Sequence, residues 1–330
     1  MNSSMNFIKY NREGRHKPKK QEAHQIIDIT LWPGGEEIKP YEEGAREKNK
    51  ITCPSEAPFP FLIPGHHYMF KQSNHRYPTQ FWVEIIAYRL GCLMGVRVPP
   101  AFVGIDTTRK IGGAVIEWFY NYPGEVVEEY VPGGDLFQKL NPQYERKKGK
   151  QHNLMDFTKV VAERDLVQNW QEEWAKIFCF DALIGNTDRH QDNWGILHYQ
   201  AGDCFSPAFD NGTAMGHEII DRKIPNKVND LEKYVSASKA THHMKWDRHD
   251  EKKIKHVDFL KKLIEQFPKT KEHIYHCLNF STKSFEQEVC ELLDLSNALS
   301  EDYVKLNPER GNFIIKLIEY RFQKVLEILT

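Results

Sequence analysis

No two of the six cysteines (Cys53, Cys92, Cys179, Cys204, Cys277 and Cys290) form a CxxC pair or another short ligand spacing. That excludes the common thiolate zinc motifs, and because several of them sit in apolar periodic stretches they read as reduced, buried thiols. A long apolar run is also missing. The most hydrophobic region, residues 85–105, is broken by Arg89, Arg97, Pro99 and Pro100 too soon to span a bilayer. The segment from Met1 to Gln21 is polar and basic, without the apolar stretch of a secretory signal. Neither sign of charge dominates: 45 Lys and Arg against 46 Asp and Glu give a net charge of −1, so no global field points to nucleic acid or an anionic membrane. No internal repeat and no long low-complexity tract is found. The expectation is a cytoplasmic protein with no membrane contact and no direct nucleic-acid binding.

What is present suits a folded chain. Of 330 residues, 40% are hydrophobic, 28% charged and 12% aromatic, which leaves room for two lobes but not for a string of modules. Periodicity places a short strand at Tyr68 to Lys71 and an amphipathic helix at Gln80 to Met94, stopped near Gly95. A strand pair follows over Ala101 to Ile105 and Gly113 to Phe119, joined by a polar turn. The stretch 121–156, rich in Gly, Pro and charge, reads as a linker with one short helix and a poor place for a core. Leu166 to Gly185 is strongly helical, with Trp170, Trp174, Ile177, Phe178 and Ile184 on one face. Two short strands come next, at Trp194 to Tyr199 and around Phe205. The tail is helical at Val257 to Phe267, Phe285 to Leu299 and Asn312 to Leu329. The fold class predicted is α+β in two lobes, with residues 1–119 a small β-rich lobe carrying one key helix and residues 120–330 a larger, mainly helical lobe.

The segment DALIGNTDRHQDNWGIL (181–197), followed after a hairpin by SPAFDNG (206–212), carries the chemistry. Phosphoryl transfer from ATP needs a carboxylate to orient the acceptor hydroxyl, an amide oxygen and a second carboxylate to hold magnesium, and a cation for the phosphate oxygens. Asp188, Asn193 and Asp210 match the first three, with the five-residue step between Asp188 and Asn193 that a kinase catalytic loop uses. A solvated turn whose Asn and Asp merely cap backbone is the plain reading of the loop alone. Joint occurrence with Asp210 weighs against it.

Glu84 falls within the stripe of Phe81, Ile85, Tyr88 and Cys92, and a carboxylate on a buried face needs a partner. Lys71 ends the strand just upstream, so Lys71 and Glu84 are expected to pair. Asp181 lies one turn beyond Ile177 on the apolar face of its helix, where it is expected to accept hydrogen bonds from the backbone of the loop and support Asp188. His190, inside the loop, is placed in a supporting role with it.

At these residues the sequence resembles the HipA-like kinases, the family that includes the toxin halves of some bacterial toxin–antitoxin pairs, and more distantly the phosphoinositide kinases. GNTDRHQDN followed by SPAFDNG is the specific match, and a looser one runs from about Gly44 to Trp246. The resemblance implies a kinase fold, ATP and magnesium as cofactors, and a serine or threonine of a protein as acceptor. It makes Asp188 the catalytic base, Asn193 and Asp210 the magnesium ligands, and Lys71 the phosphate contact. It also makes Glu117, Trp118 and Phe119 the hinge against adenine. Gly44 and Ala45 belong to GAREK (44–48), which resembles the family's phosphate-covering GAQEK loop. Tyr41 stands where many members carry a serine open to autophosphorylation. The chain is expected to lack the family's extra N-terminal subdomain; an antitoxin or DNA-binding protein is the partner the resemblance suggests.

Other classes use the same residues. A two-metal phosphoesterase would recruit Asp188, His190, Asp192 and Asp210 but needs further His and Asp clusters at strand ends, and the candidates His242, His243, His273 and His276 sit in charged or helical segments without that pattern. A nucleotide-binding pseudokinase would be favoured by a substitution at Lys71, Asp188, Asn193 or Asp210, and none is present. A lipid kinase shares the DRHxxN pattern but would want a basic amphipathic helix.

Overall fold

In the computed structural model the residues described are 18–37, 48–125, 127–163, 170–200, 202–237 and 241–330. The chain opens with β1 (Ile27–Asp28), β2 (Gly34–Glu37), β3 (Lys48–Thr52) and β4 (His67–Lys71). It continues through α1 (Gln80–Met94) to the hairpin β5 (Ala101–Asp106) and β6 (Ile111–Glu117). These six strands form one sheet in the order β1-β5-β6-β4-β3-β2, antiparallel except for β1 beside β5. Alternation along β4 divides its side chains between the two faces. Tyr68 and Phe70 join Trp32, Phe61, Phe102 and Val115 in a core on one face, and Lys71 turns to the other, toward α1.

The helix Gln80–Met94 has the boundaries that periodicity predicts, and Gly95 ends it in the left-handed region at φ 65°. Its amphipathic reading needs correction. Nearly every residue of α1 is buried, because β5 and β6 cover one side and a C-terminal helix covers the other. A helix buried all round shows no polar stripe.

The rest of the chain adds β7 (Glu129–Pro132), α2 (Gly133–Leu140), α3 (Leu154–Glu163), α4 (Trp170–Ile184), β8 (Gly195–Tyr199) and β9 (Gly202–Phe205). It then becomes helical, through α5 (Ile224–Val228), α6 (Leu231–Ala237), α7 (His256–Gln266), α8 (Thr270–Cys277), α9 (Thr282–Asn297) and α10 (Pro308–Glu327). β7, β8 and β9 make a small antiparallel sheet. Stretch 121–156 is therefore more than a linker: it supplies β7, α2 and the start of α3, and buries Val131, Leu136, Phe137 and Tyr144. Its glycines mark close packing, since a Cβ on Gly133 would meet the Trp194 ring at 2.3 Å. Helix α8 carries no strong apolar stripe and was not anticipated.

One apolar core runs from α1 through α4 to α9 and α10, so the helix of the large sheet and the C-terminal helices share their burial. No helix among the described residues is long and apolar enough to cross a membrane.

Candidate active site

Helix α4 delivers the loop. Gly185, at φ 66°, ends it in the left-handed region, and the Asn186 N–H bonds back to the Asp181 carbonyl at 3.0 Å. Asn186 then shapes the turn: its Oδ1 accepts from the Asp188 N–H at 3.0 Å and the Thr213 hydroxyl at 3.3 Å. The Asp188 carbonyl accepts from the His190 N–H at 2.8 Å and from Asn193 Nδ2 at 2.6 Å. The backbone around Asp188 is thus fixed by its own loop.

Arg189 holds the loop to what lies beneath and beside it. Its guanidinium, 1% exposed, forks onto the Asp181 carboxylate, 0% exposed, at 2.7 and 3.1 Å. It also donates to Asn211 Oδ1 at 2.7 Å and to the Phe209 carbonyl. Burial alone would raise the Asp181 pKa, but the Arg189 charge and His242 outweigh it and hold the carboxyl well below the usual range. The expectation that Asp181 accepts from loop backbone is corrected. Its carboxylate takes side chains instead, Arg189 and Asn186 Nδ2, because a fork satisfies both oxygens at once.

Asp210 arrives after the β8–β9 hairpin with φ 56°, uncommon for a residue with a side chain. The Lys71 ammonium lies 2.5 Å from Asp210 Oδ1 and 2.5 Å from Glu84 Oε1. Lys71 and Glu84 are each 3% exposed, so the lysine is satisfied by charge rather than water. Glu84 uses its second oxygen to accept the Asn211 N–H at 2.9 Å, and Gln80 Nε2 donates to the Gly212 carbonyl at 3.0 Å. Helix α1 is tied in this way to residues 210–212. Two carboxylates on one ammonium leave negative charge that a divalent cation would offset.

Asn193 and Asp210 offer an amide oxygen and a carboxylate, the hard donors magnesium prefers. Asn193 spends its Nδ2 on the Asp188 carbonyl, and no hydrogen bond to its Oδ1 forms among the described residues. The donor set fits the ion.

Glu117 to Phe119 lead out of the large sheet. Glu117 points inward: its carboxylate is 2.5 Å from Lys19 Nζ and accepts from the Tyr122 hydroxyl at 3.0 Å. Burial raises its pKa against the pull of Lys19. The Trp118 N–H bonds the His67 carbonyl at 3.0 Å, and its own carbonyl lies 2.7 Å from His66 Nε2. Phe119 stacks on Phe209 with ring centres 5.1 Å apart, which brings this connection beside Asp210. Gly44, Ala45 and Tyr41 lie outside the described residues.

His190 looks elsewhere. Its Nδ1 accepts from the Asp192 N–H at 3.2 Å, and its ring lies 5.9 Å from that of His243. Asp192 is held by Arg146 at 2.9 Å, and among the described residues no group of three or more His, Cys, Asp or Glu gathers as a metal cluster. The sequence reading missed Arg189, Asn186 and Asn211, whose roles depend on partners distant in the chain. It also missed Lys253, whose ammonium is lowered by burial and pulled back up by Asp188, which makes it a cationic neighbour of the loop.

The family model of the HipA-like C-terminal domain matches residues 43–287. The serine/threonine-protein kinase CtkA of Helicobacter pylori is 23% identical over 206 residues, 58% of this chain; the chain spans 58% of the length of that curated relative. The crystal structure of the Helicobacter pylori proinflammatory kinase CtkA superposes with a TM-score of 0.69 at 18% identity, covering 92% of this chain and 96% of that one. The two share a kinase-like fold. A HipA chain from the Shewanella oneidensis complex of HipA, HipB and operator DNA is 14% identical, with a TM-score of 0.44 over 99% of this chain and 70% of its own.

Proposed function

Since the chain belongs to the HipA-like C-terminal domain family, we propose that it is an ATP- and magnesium-dependent kinase that phosphorylates serine or threonine on a protein. The observation that carries the reading is the Lys71 ammonium held 2.5 Å from both Glu84 and Asp210, with Asp188 on the adjoining loop held by Asn186 and Asn193. The name of the curated relative favours a protein hydroxyl over a lipid as acceptor.

Nucleotide would sit between the large sheet and the loop, with adenine against Trp118 and Phe119. Asp188 orients the acceptor hydroxyl and takes its proton as the new oxygen–phosphorus bond forms. Lys71, aimed by Glu84, contacts the phosphate oxygens. Asn193 and Asp210 would hold magnesium, which supplies charge neutralisation on those oxygens. Little covalent chemistry falls to the protein, so positioning and electrostatics do most of the work.

The test is transfer from γ-labelled ATP with magnesium, in a bacterial lysate, by wild type and Asp210→Ala, reading protein and lipid fractions separately. Label on protein bands that vanish with Asp210→Ala is the expected result. Label in the lipid fraction alone, or bound ATP without any transfer, would overturn the protein-kinase reading.

A further inference from the structure

A cavity of about 550 Å³ opens against the residues that lead into the loop, with Gly185 and Thr187 in one wall and Thr213 in another. Thr187 precedes Asp188 directly, so an extended peptide whose hydroxyl meets Asp188 would reach this cavity within a few residues, at roughly 3.3 Å each.

The cavity is lined by three cations, Lys227, Lys233 and Arg321. Arg321, on α10, is 5% exposed, yet its one hydrogen bond among the described residues runs from Nη1 to the Leu183 carbonyl at 3.3 Å. The guanidinium lies flat over Gly185, where a Cβ would meet it at 2.3 Å. That carbonyl belongs to the C-terminal end of α4, where the helix dipole favours a cation but supplies only a fraction of a charge. Among the described residues no carboxylate lies within ion-pair distance of any of the three, although Glu218 is near enough to act on the Arg321 charge. Glu218 and Asp230 also line the cavity and offset part of this charge; Glu218 accepts from the Tyr234 hydroxyl at 2.9 Å and Asp230 caps the Lys233 N–H at 3.1 Å. His217 lies 3.6 Å from Glu218. Arg321 is thus largely buried yet keeps N–H groups open to the cavity, where three cations against two carboxylates leave a net positive lining that an anion would complete.

We propose that this cavity binds an anionic side chain of the protein substrate, a phosphomonoester or a carboxylate close in sequence to the acceptor hydroxyl, with Arg321 as its buried anchor. The proposal rests on the kinase reading for the word substrate, but anion binding is measurable without turnover. Lys227 and Lys233 form the rim: Lys227 packs its ammonium over the Tyr234 ring at 5.8 Å and Lys233 is exposed. A bidentate arginine contact suits both ligand types, and the phosphomonoester adds a second charge for the rim lysines.

The experiment has two readouts on wild type, Arg321→Gln and Lys227→Ala combined with Lys233→Ala. First, thermal melts with and without inorganic phosphate: phosphate should raise the wild-type Tm and raise it less in both variants. Second, kcat/KM for serine peptides carrying alanine, glutamate or phosphoserine at scanned flanking positions. The anionic peptides should exceed the alanine peptide by roughly 10- to 100-fold at one position in wild type. The variants should lose that preference while phosphorylating the alanine peptide normally. A gain for phosphoserine alone identifies a phosphate site; an equal gain for glutamate identifies a carboxylate site. Should Arg321→Gln fail to fold, the lysine pair, whose side chains are not in the core, carries the test. Phosphorylation with no flanking preference and no variant-sensitive phosphate effect overturns the site and leaves the kinase reading intact. A variant-sensitive phosphate effect without any phosphotransfer does the reverse, and neither signal overturns both.

Discussion

Arg189 forks onto both oxygens of Asp181, at 2.7 and 3.1 Å, with neither side chain exposed by more than 1%. The pair joins the last turns of α4 to the loop that carries Asp188, and through Asn211 to the segment that carries Asp210. Removing one member of a buried pair leaves the other charge without compensation, which costs about 3–5 kcal/mol. Asp181→Ala is expected to lose that much stability in a urea melt at neutral pH, whereas a loss under about 1 kcal/mol would mean that Arg189 finds another partner.

Asp188→Asn preserves shape and the loop's backbone bonds, and removes the proton acceptor. Its phosphotransfer rate should fall by about 10²- to 10⁴-fold, with ATP affinity and melting temperature little changed. Undiminished turnover would assign the base elsewhere.

Lys71 and Glu84 should act as a unit. Lys71→Met, Glu84→Gln and the double variant form a cycle whose coupling, read from kcat/KM, should lie between about 0.5 and 3 kcal/mol. Simple additivity would show that Glu84 does not act through Lys71. The Glu84 variant should also loosen residues 210–212, since it weakens the acceptor of the Asn211 N–H.

Acid should destabilise the protein in two stages. Burial pushes His256 and His243 down to about 3, so between their ordinary range near 6.5 and about 3 the unfolded chain binds more protons than the folded one. Stability therefore falls as pH falls through that window, by about 1.4 kcal/mol per pH unit for each such histidine. The Asp181 carboxyl is depressed in the fold, so its contribution is present above about pH 4 and is lost only below it. Chemical melts from pH 8 to 4 check the first stage. His256→Phe should flatten part of the slope, and an unchanged slope would place the proton uptake elsewhere.

The legible part of this protein was the part with local pattern. Helix α1 matched its predicted ends because Gly95 needs a left-handed φ and glycine adopts it freely. Lys71 and Glu84 were paired on the cost of burying a lone carboxylate, and the ammonium and carboxylate are in contact. The segment 121–156 misled because glycine and charge marked it as loop, while Gly133 serves close packing on Trp194.

By itself the sequence determined the chemical inventory: the Asp188 to Asn193 step, an acidic residue after a hairpin, and the helix and strand periods that deliver them. Those signals are local, carried by neighbours within a turn or a strand. Tertiary structure alone decided the partners. Arg189 reaches Asp181 eight residues back and Asn211 22 residues on, and Glu84 meets Asn211 across 127 residues. No periodicity encodes such contacts, because they depend on how the two sheets and the C-terminal helices close on one another. Arg321 owes its burial to the same closure, which turns an ordinary helical arginine into a buried cation that faces a cavity beside the loop.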